Sequence, residues 1–110
     1  MSTLRLLAVS GSSRTGSWNR KLVDAAARAA QARGAQVESL DLRSLALPLY
    51  DADLEKAAGV PEGARRLRDA LRAADGVLLS APEYNGFPTP LLLNSFDWLS
   101  RLQPEGDAPG

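Results

Sequence analysis

The chain has 110 residues, with 13 basic and 13 acidic side chains, no histidine and no cysteine. One domain fits that length, and the even charge gives no electrostatic reason to expect nucleic acid or an anionic membrane as partner. Without Cys or His there is no disulfide, thiolate nucleophile, Ser-His-Asp triad or Cys/His metal site, so redox chemistry would have to come from a bound cofactor.

No apolar run approaches the length of a membrane span. The start, Met1-Ser2-Thr3-Leu4-Arg5, lacks a signal-peptide pattern, which makes the cytoplasm the expected compartment. Leu4–Ser10 reads as a buried parallel strand, a short apolar run bounded by glycine. Ser17–Arg33 reads as a helix with Leu22, Val23, Ala26, Ala29 and Ala30 on its inner face and Gly34 as its stop. Gln36–Leu42 is a second, more polar strand, expected nearer an edge. Arg43–Gly59 is a long connection carrying Leu45, Leu47, Pro48, Leu49 and Tyr50, and connections of that length cover or line something. Pro61 suits the first turn of a helix reaching Ala74, with Leu67, Ala70, Leu71 and Ala74 as its apolar stripe. Gly76–Ala81 is a third strand and Pro82–Phe87 a turn. Thr89 and Pro90 are N-cap and N1 of a last helix through Leu102, followed by the tail Gln103–Gly110.

This β-α-β-α-β-α alternation predicts a doubly wound parallel α/β sheet, with right-handed crossovers favouring strand order 2-1-3. The switch point then lies between strands 1 and 3, and the loops leaving them, Gly11–Ser17 and Pro82–Phe87, become neighbours where such folds bind ligands. The first loop, Gly11-Ser12-Ser13-Arg14-Thr15-Gly16-Ser17-Trp18-Asn19, joins a strand to a helix N-terminus. Its backbone N–H groups, hydroxyls, the Asn19 amide and the Arg14 guanidinium together suit a phosphate monoester. A P-loop is disfavoured because its lysine position is Ser17, and a dinucleotide fingerprint because its second glycine position is Ser13. Asp41 could serve as a ribose-binding acid but reads more simply as a solvated loop-start aspartate. A mononucleotide such as FMN is the better match.

The pattern Gly11-Ser12-x-Arg14-x-x-Ser17-x-Asn19, then Pro82-Glu83-Tyr84-Asn85-Gly86, then Asn94-x-x-Asp97-Trp98-Leu99-Ser100 resembles the NADPH-dependent FMN reductase family, flavodoxin-like quinone, azo-dye and chromate reductases. The resemblance runs from Leu4 to Leu102. It implies that Ser12, Arg14, Ser17 and Asn19 hold the FMN phosphate, with Gly11 also among the cofactor-binding residues, and that Pro82, Glu83, Tyr84, Asn85 and Gly86 line the ribityl chain and ring, largely through backbone groups. It further implies hydride transfer from NADPH or NADH through FMN to a small-molecule acceptor, a quinone, azo compound, metal oxyanion or free flavin; no metal-ligand set is visible, and a homodimer or homotetramer is expected. The alternative of the same fold is a non-enzymatic FMN electron carrier, although such carriers are strongly acidic for steering and this chain is balanced.

Leu93 stands where relatives often carry Lys, and Phe87-Pro88-Thr89-Pro90 departs from the small or aliphatic residues usual there; both bear on the pocket rim and subunit contact. The full flavodoxin-like order, 2-1-3-4-5, has two further strands, so residues 1–110 are expected to be the N-terminal portion of one FMN-binding domain. Hydride transfer to a flavin needs no protein base, so no catalytic side chain is assigned and Glu83 is read as a pocket residue. Asp97 and Trp98 read as structural or interfacial. Phe96, Trp98, Leu99 and Leu102 span more than one helix face, and the excess apolar surface points to a helix–helix contact. Arg65, Arg66, Arg68 and Arg72 read as a solvated face.

Overall fold

Arg5–Ser10 forms the first strand, β1, and its last four residues are buried. Burial on both faces is what a central parallel strand requires and explains the unbroken run Leu6-Leu7-Ala8-Val9. The structure, a computed structural model, describes residues 3–11, 18–84 and 86–102, with Glu83 and Tyr84 described in their backbone alone. β1 pairs in parallel with β2 (Gln36–Asp41) on one side and with β3 (Gly76–Ser80) on the other. The order is therefore β2-β1-β3, as expected. The polar strand β2 is an edge of this sheet, and the C-terminal residues Ser10, Asp41 and Ser80 lie side by side.

Alternation along β1 separates two cores. Leu7 and Val9 join Leu42, Leu45, Leu67 and Leu92 on one face. Ala8 meets Val23 and Ala27 of helix α1 (Trp18–Ala32) on the other, with Val37 and Leu78 beside them. The phase of α1 differs from the expected one: Val23 and Ala27 are buried, whereas Leu22 is 64% exposed and Ala29 is exposed too. A helix turns about 100° per residue, so once Val23 and Ala27 seat on the small Ala8, position 22 rotates out. The helix ends as read. Gly34 has φ +96°, its N–H donates to the Gln31 carbonyl and the Ala35 N–H to that of Ala30, the paired bonds of a Schellman motif.

The connection after β2 carries more structure than expected. A 3-10 turn, Leu42–Leu45, buries both of its leucines in the first core, and a short helix, α2 (Ala52–Ala58), follows. Asp51 caps α2 by accepting from the N–H groups of Asp53 and Leu54. Helix α3 (Glu62–Ala73) and helix α4 (Pro90–Leu99) pack side by side on the Leu7/Val9 face. Pro61 is the N-cap of α3 rather than a residue of its first turn. The arginines of α3 are not one solvated face: Arg65 donates to the Val60 carbonyl and the Arg68 side chain is mostly covered, which leaves Arg66 and Arg72 exposed.

The segment Pro48–Tyr50 lies against α4. The Pro48 carbonyl accepts from Asn94 Nδ2 at 2.8 Å and from Trp98 Nε1 at 2.7 Å, while the Tyr50 N–H donates to Asn94 Oδ1 at 2.7 Å. The Tyr50 ring meets Trp98 edge-on, centroids 4.9 Å apart. Asn94 and Trp98 thus fasten the long connection, which fits the structural reading of the Asp97-Trp98 pair. Phe96 and Leu93 of the same helix stay about half exposed.

Beyond Trp98, Glu55 collects a hydrogen bond from the Tyr50 hydroxyl at 2.9 Å and an ion pair with Arg101 Nε at 3.0 Å. The Arg101 guanidinium, helped by the Tyr50 hydroxyl, holds the Glu55 carboxyl below the usual carboxylate range. The same carboxylate raises the Tyr50 phenol. A depressed carboxylate stabilises the fold above its unfolded pKa, about 4.3, and loses that contribution as pH falls through the lower folded value. Urea midpoints measured from pH 6 to pH 3 are expected to fall less steeply for Glu55→Gln than for the parent; parallel curves would show that the triad does not titrate with unfolding.

Candidate functional site

Two loop ends meet at the C-terminal edge of the sheet. In register beside Ser10, the Ser80 carbonyl accepts from the Gly11 N–H at 2.9 Å. Thr89, 1% exposed, donates from Oγ1 to the Gly11 carbonyl at 2.8 Å and accepts from the Leu92 N–H at 3.2 Å. That hydroxyl therefore caps α4 and ties it to the start of the first loop. Approach is close enough that a Cβ on Gly11 would stand 2.9 Å from the Ala81 Cβ, so only glycine fits there without a shift. Strand order and these bonds make neighbours of the points at which the chain leaves β1 and β3, Gly11 and Ala81, the place of the switch point.

Asn19 sits in the first turn of α1, at the positive end of its dipole. Its Oδ1 accepts from Ser80 Oγ at 2.9 Å, and its Nδ2 has no acceptor among the described residues. Of the expected phosphate contacts, the structure thus brings Gly11 and Asn19 together around Ser80, while Ser12, Arg14 and Ser17 lie outside the described residues. Trp18 is 81% exposed with Lys21 Nζ 4.6 Å from its ring centroid, so it packs in no core. Pro82 is half-buried.

The expected turn at Pro82–Phe87 is a hairpin. Strand β4 (Glu83–Tyr84) pairs antiparallel with β5 (Phe87–Pro88), Tyr84 opposite Phe87. Two residues join them, Asn85, which lies outside the described residues, and Gly86 at φ +80°, a conformation suited to glycine at such a turn. Nothing stands within 4 Å of a Cβ built on Gly86, so the backbone there is open to approach. Asp41 does not present a free carboxylate for a ribose. Its Oδ2 pairs with Arg20 at 2.6 Å and its Oδ1 accepts from the Arg43 N–H at 3.0 Å. Among the described residues no group of three or more His, Cys, Asp or Glu could hold a metal ion, and no helix is long and apolar enough to cross a membrane.

Ser80 and Thr89 were not distinguished as site residues by sequence. A hydroxyl at the end of a buried strand and a helix N-cap are both ordinary, and their second role needs the β1–β3 register. Chemically, the arrangement offers an anion the Asn19 amide and the N-terminus of α1, and the hairpin after β3 carries an open glycine at Gly86. An amide donor at a helix N-terminus fits a phosphate monoester.

A family model described as NADPH-dependent FMN reductase matches residues 4–109. A quinone reductase of Escherichia coli K12 is 38% identical over 109 residues, covering 96% of this chain and 56% of the relative. An NAD(P)H-dependent FMN reductase of Pseudomonas aeruginosa is 37% identical over 98 residues, covering 89% and 51%. The solved structure of FerB, a flavoenzyme NAD(P)H:(acceptor) oxidoreductase from Paracoccus denitrificans, superposes with a TM-score of 0.70 at 33% identity, covering 94% of this chain and 53% of that one. The chain spans about half the length of the relatives it matches.

Proposed function

The chain belongs to the NADPH-dependent FMN reductase family, and from that premise we propose that it binds FMN at the meeting of its first and second loops and serves an NAD(P)H-dependent oxidoreductase. The observation that carries this reading is the junction itself, where Gly11, Asn19, Ser80 and Thr89 are joined by hydrogen bonds at the sheet's switch point. Ser12, Arg14, Ser17 and Asn19 would hold the phosphate, with Gly11, whose own N–H and carbonyl are taken by Ser80 and Thr89, starting the loop beside Ala81. Pro82, Glu83, Tyr84, Asn85 and Gly86 would line the ribityl chain and ring, the open backbone at Gly86 giving a planar group room. When bound, the flavin supplies the two-electron chemistry, accepting hydride from NAD(P)H and passing it to an acceptor.

The chain's own work is binding, orientation and neutralisation of the phosphate charge. In keeping with the relatives' names, the acceptor class is a quinone or another small oxidant. The half-exposed Leu93 and Phe96 on α4 support self-association into a homodimer or homotetramer, and the reading puts the enzyme in the cytoplasm, where NAD(P)H is available.

The test is ligand titration by flavin fluorescence quenching. FMN should bind more tightly than riboflavin, and Arg14→Ala should weaken FMN about tenfold or more, since a bond to a charged group is lost, with riboflavin little changed. Equal losses for both ligands would disprove the phosphate assignment. Anaerobic bleaching of the bound flavin by NADPH is expected; a yellow protein that NADPH fails to bleach would be an electron carrier instead.

A further inference from the structure

Ser80 touches both ends of the first loop. Its carbonyl accepts from the N–H of Gly11, the last residue before the segment 12–17. Its hydroxyl donates to Oδ1 of Asn19, in the first turn after that segment. Ser80 is 9% exposed, and its hydroxyl makes no other hydrogen bond among the described residues. An asparagine amide has two orientations related by a flip, one presenting oxygen and the other nitrogen to a given neighbour. With the hydroxyl proton given to Oδ1, Nδ2 keeps both of its donors among the described residues; the flipped amide could still donate to Ser80 Oγ, but the buried hydroxyl proton would then give up its one described acceptor.

Resting on the FMN reading above, we infer that Ser80 is a positioning residue for the phosphate: its hydroxyl sets the Asn19 amide so that nitrogen, not oxygen, is offered to the anion. The flipped amide would turn an acceptor toward a dianionic phosphate, which is repulsive rather than neutral. A buried side chain far from the loop in sequence thereby determines whether Asn19 attracts or repels the ligand.

The prediction is selective. Ser80→Ala should raise the FMN dissociation constant about tenfold and leave that of riboflavin within twofold, because riboflavin has no phosphate. Ser80→Thr keeps a hydroxyl and should restore most of the FMN preference. In an Asn19→Ala background, Ser80→Ala should have no further effect on FMN, since the residue it acts through is gone. Asn19→Asp offers a second route should Ser80→Ala fail to fold. The carboxylate still accepts from Ser80 but presents no donor, and FMN binding should drop at least as far with riboflavin unchanged.

Equal loss of both ligands in Ser80→Ala, additivity with Asn19→Ala, or an Asn19→Asp variant that keeps its FMN preference would each overturn the inference. A parent protein that binds FMN and riboflavin equally overturns the phosphate reading itself. A parent with clear FMN preference that Asn19→Ala reduces and Ser80→Ala leaves intact overturns the positioning role alone.

Discussion

Trp98→Ala is expected to destabilise the protein by about 3–5 kcal/mol, measured as a drop in the urea midpoint at unchanged slope. Trp98 is fully buried, its Nε1 donates to the Pro48 carbonyl, and its ring carries the edge of Tyr50. Removing it opens a cavity under α4 and at once loosens the Pro48–Tyr50 segment. Domains of this size are stable by about 5–15 kcal/mol, so the variant should lose a large share of that margin. Trp98→Phe separates the two contributions. It keeps most of the ring volume and gives up the hydrogen bond, but the Pro48 carbonyl retains Asn94 Nδ2 as a donor, so a loss of about 1–2 kcal/mol is expected. Two variants of equal stability would mean that the ring's volume contributes nothing, against its complete burial.

Gly63→Ala is the second large effect, and its sign is the point of interest. In an open helix, replacing glycine by alanine stabilises by about 1 kcal/mol. Gly63 lies in the first turn of α3 and is buried. A Cβ built there would collide with the Leu45 carbonyl oxygen, and would come within 3.1 Å of both the Leu45 Cβ and the Leu47 Cδ2. The carbonyl belongs to the backbone at the end of the 3-10 turn, whose Leu42 and Leu45 are locked in the core, so it cannot swing aside as a side-chain tip would. Overpacking of this kind costs about 1–3 kcal/mol, enough to reverse the propensity gain. A raised midpoint for Gly63→Ala would show that the 3-10 turn yields.

Strands and their order were legible because a central parallel strand leaves a plain mark. Leu6–Val9 is apolar without alternation, β2 is visibly more polar, and the connections between them are long enough only for crossovers. The facing of α1 was not legible. Ala25, Ala26, Ala27, Ala29 and Ala30 differ too little for a stripe to stand out, and the choice among them is made by Ala8 beneath the helix. Helix α2 escaped for a related reason: it buries no residue, so it has no apolar period, and its one signal is the cap at Asp51. The hairpin's Asn85-Gly86 pair is a readable turn signal, but strands of two residues are too short to show alternation. As for the proposed site, motif spacing points to the first loop and the hairpin, whereas the bonds of Ser80 and Thr89 to Gly11 and Asn19 follow only from the register that lays β3 against β1. The alternative use of Asp41 falls away because Arg20, one helical step past the loop, reaches it.

The β1–β3 pairing also fixes when the junction of Gly11, Ser80 and Thr89 can come into being. Gly11 finds its partners at Ser80 and Thr89, 69 and 78 residues further on, and the Arg5 N–H finds the Asp75 carboxylate 70 residues away. Contacts of such span carry the largest chain-closure entropy and arrive late. A growing chain that has emerged only through α2 can build β1, α1 and β2, yet it holds no half-formed junction at which a ligand could gain a foothold. A mononucleotide would therefore select the finished molecule, lending its binding energy to the completed state and none to its precursors.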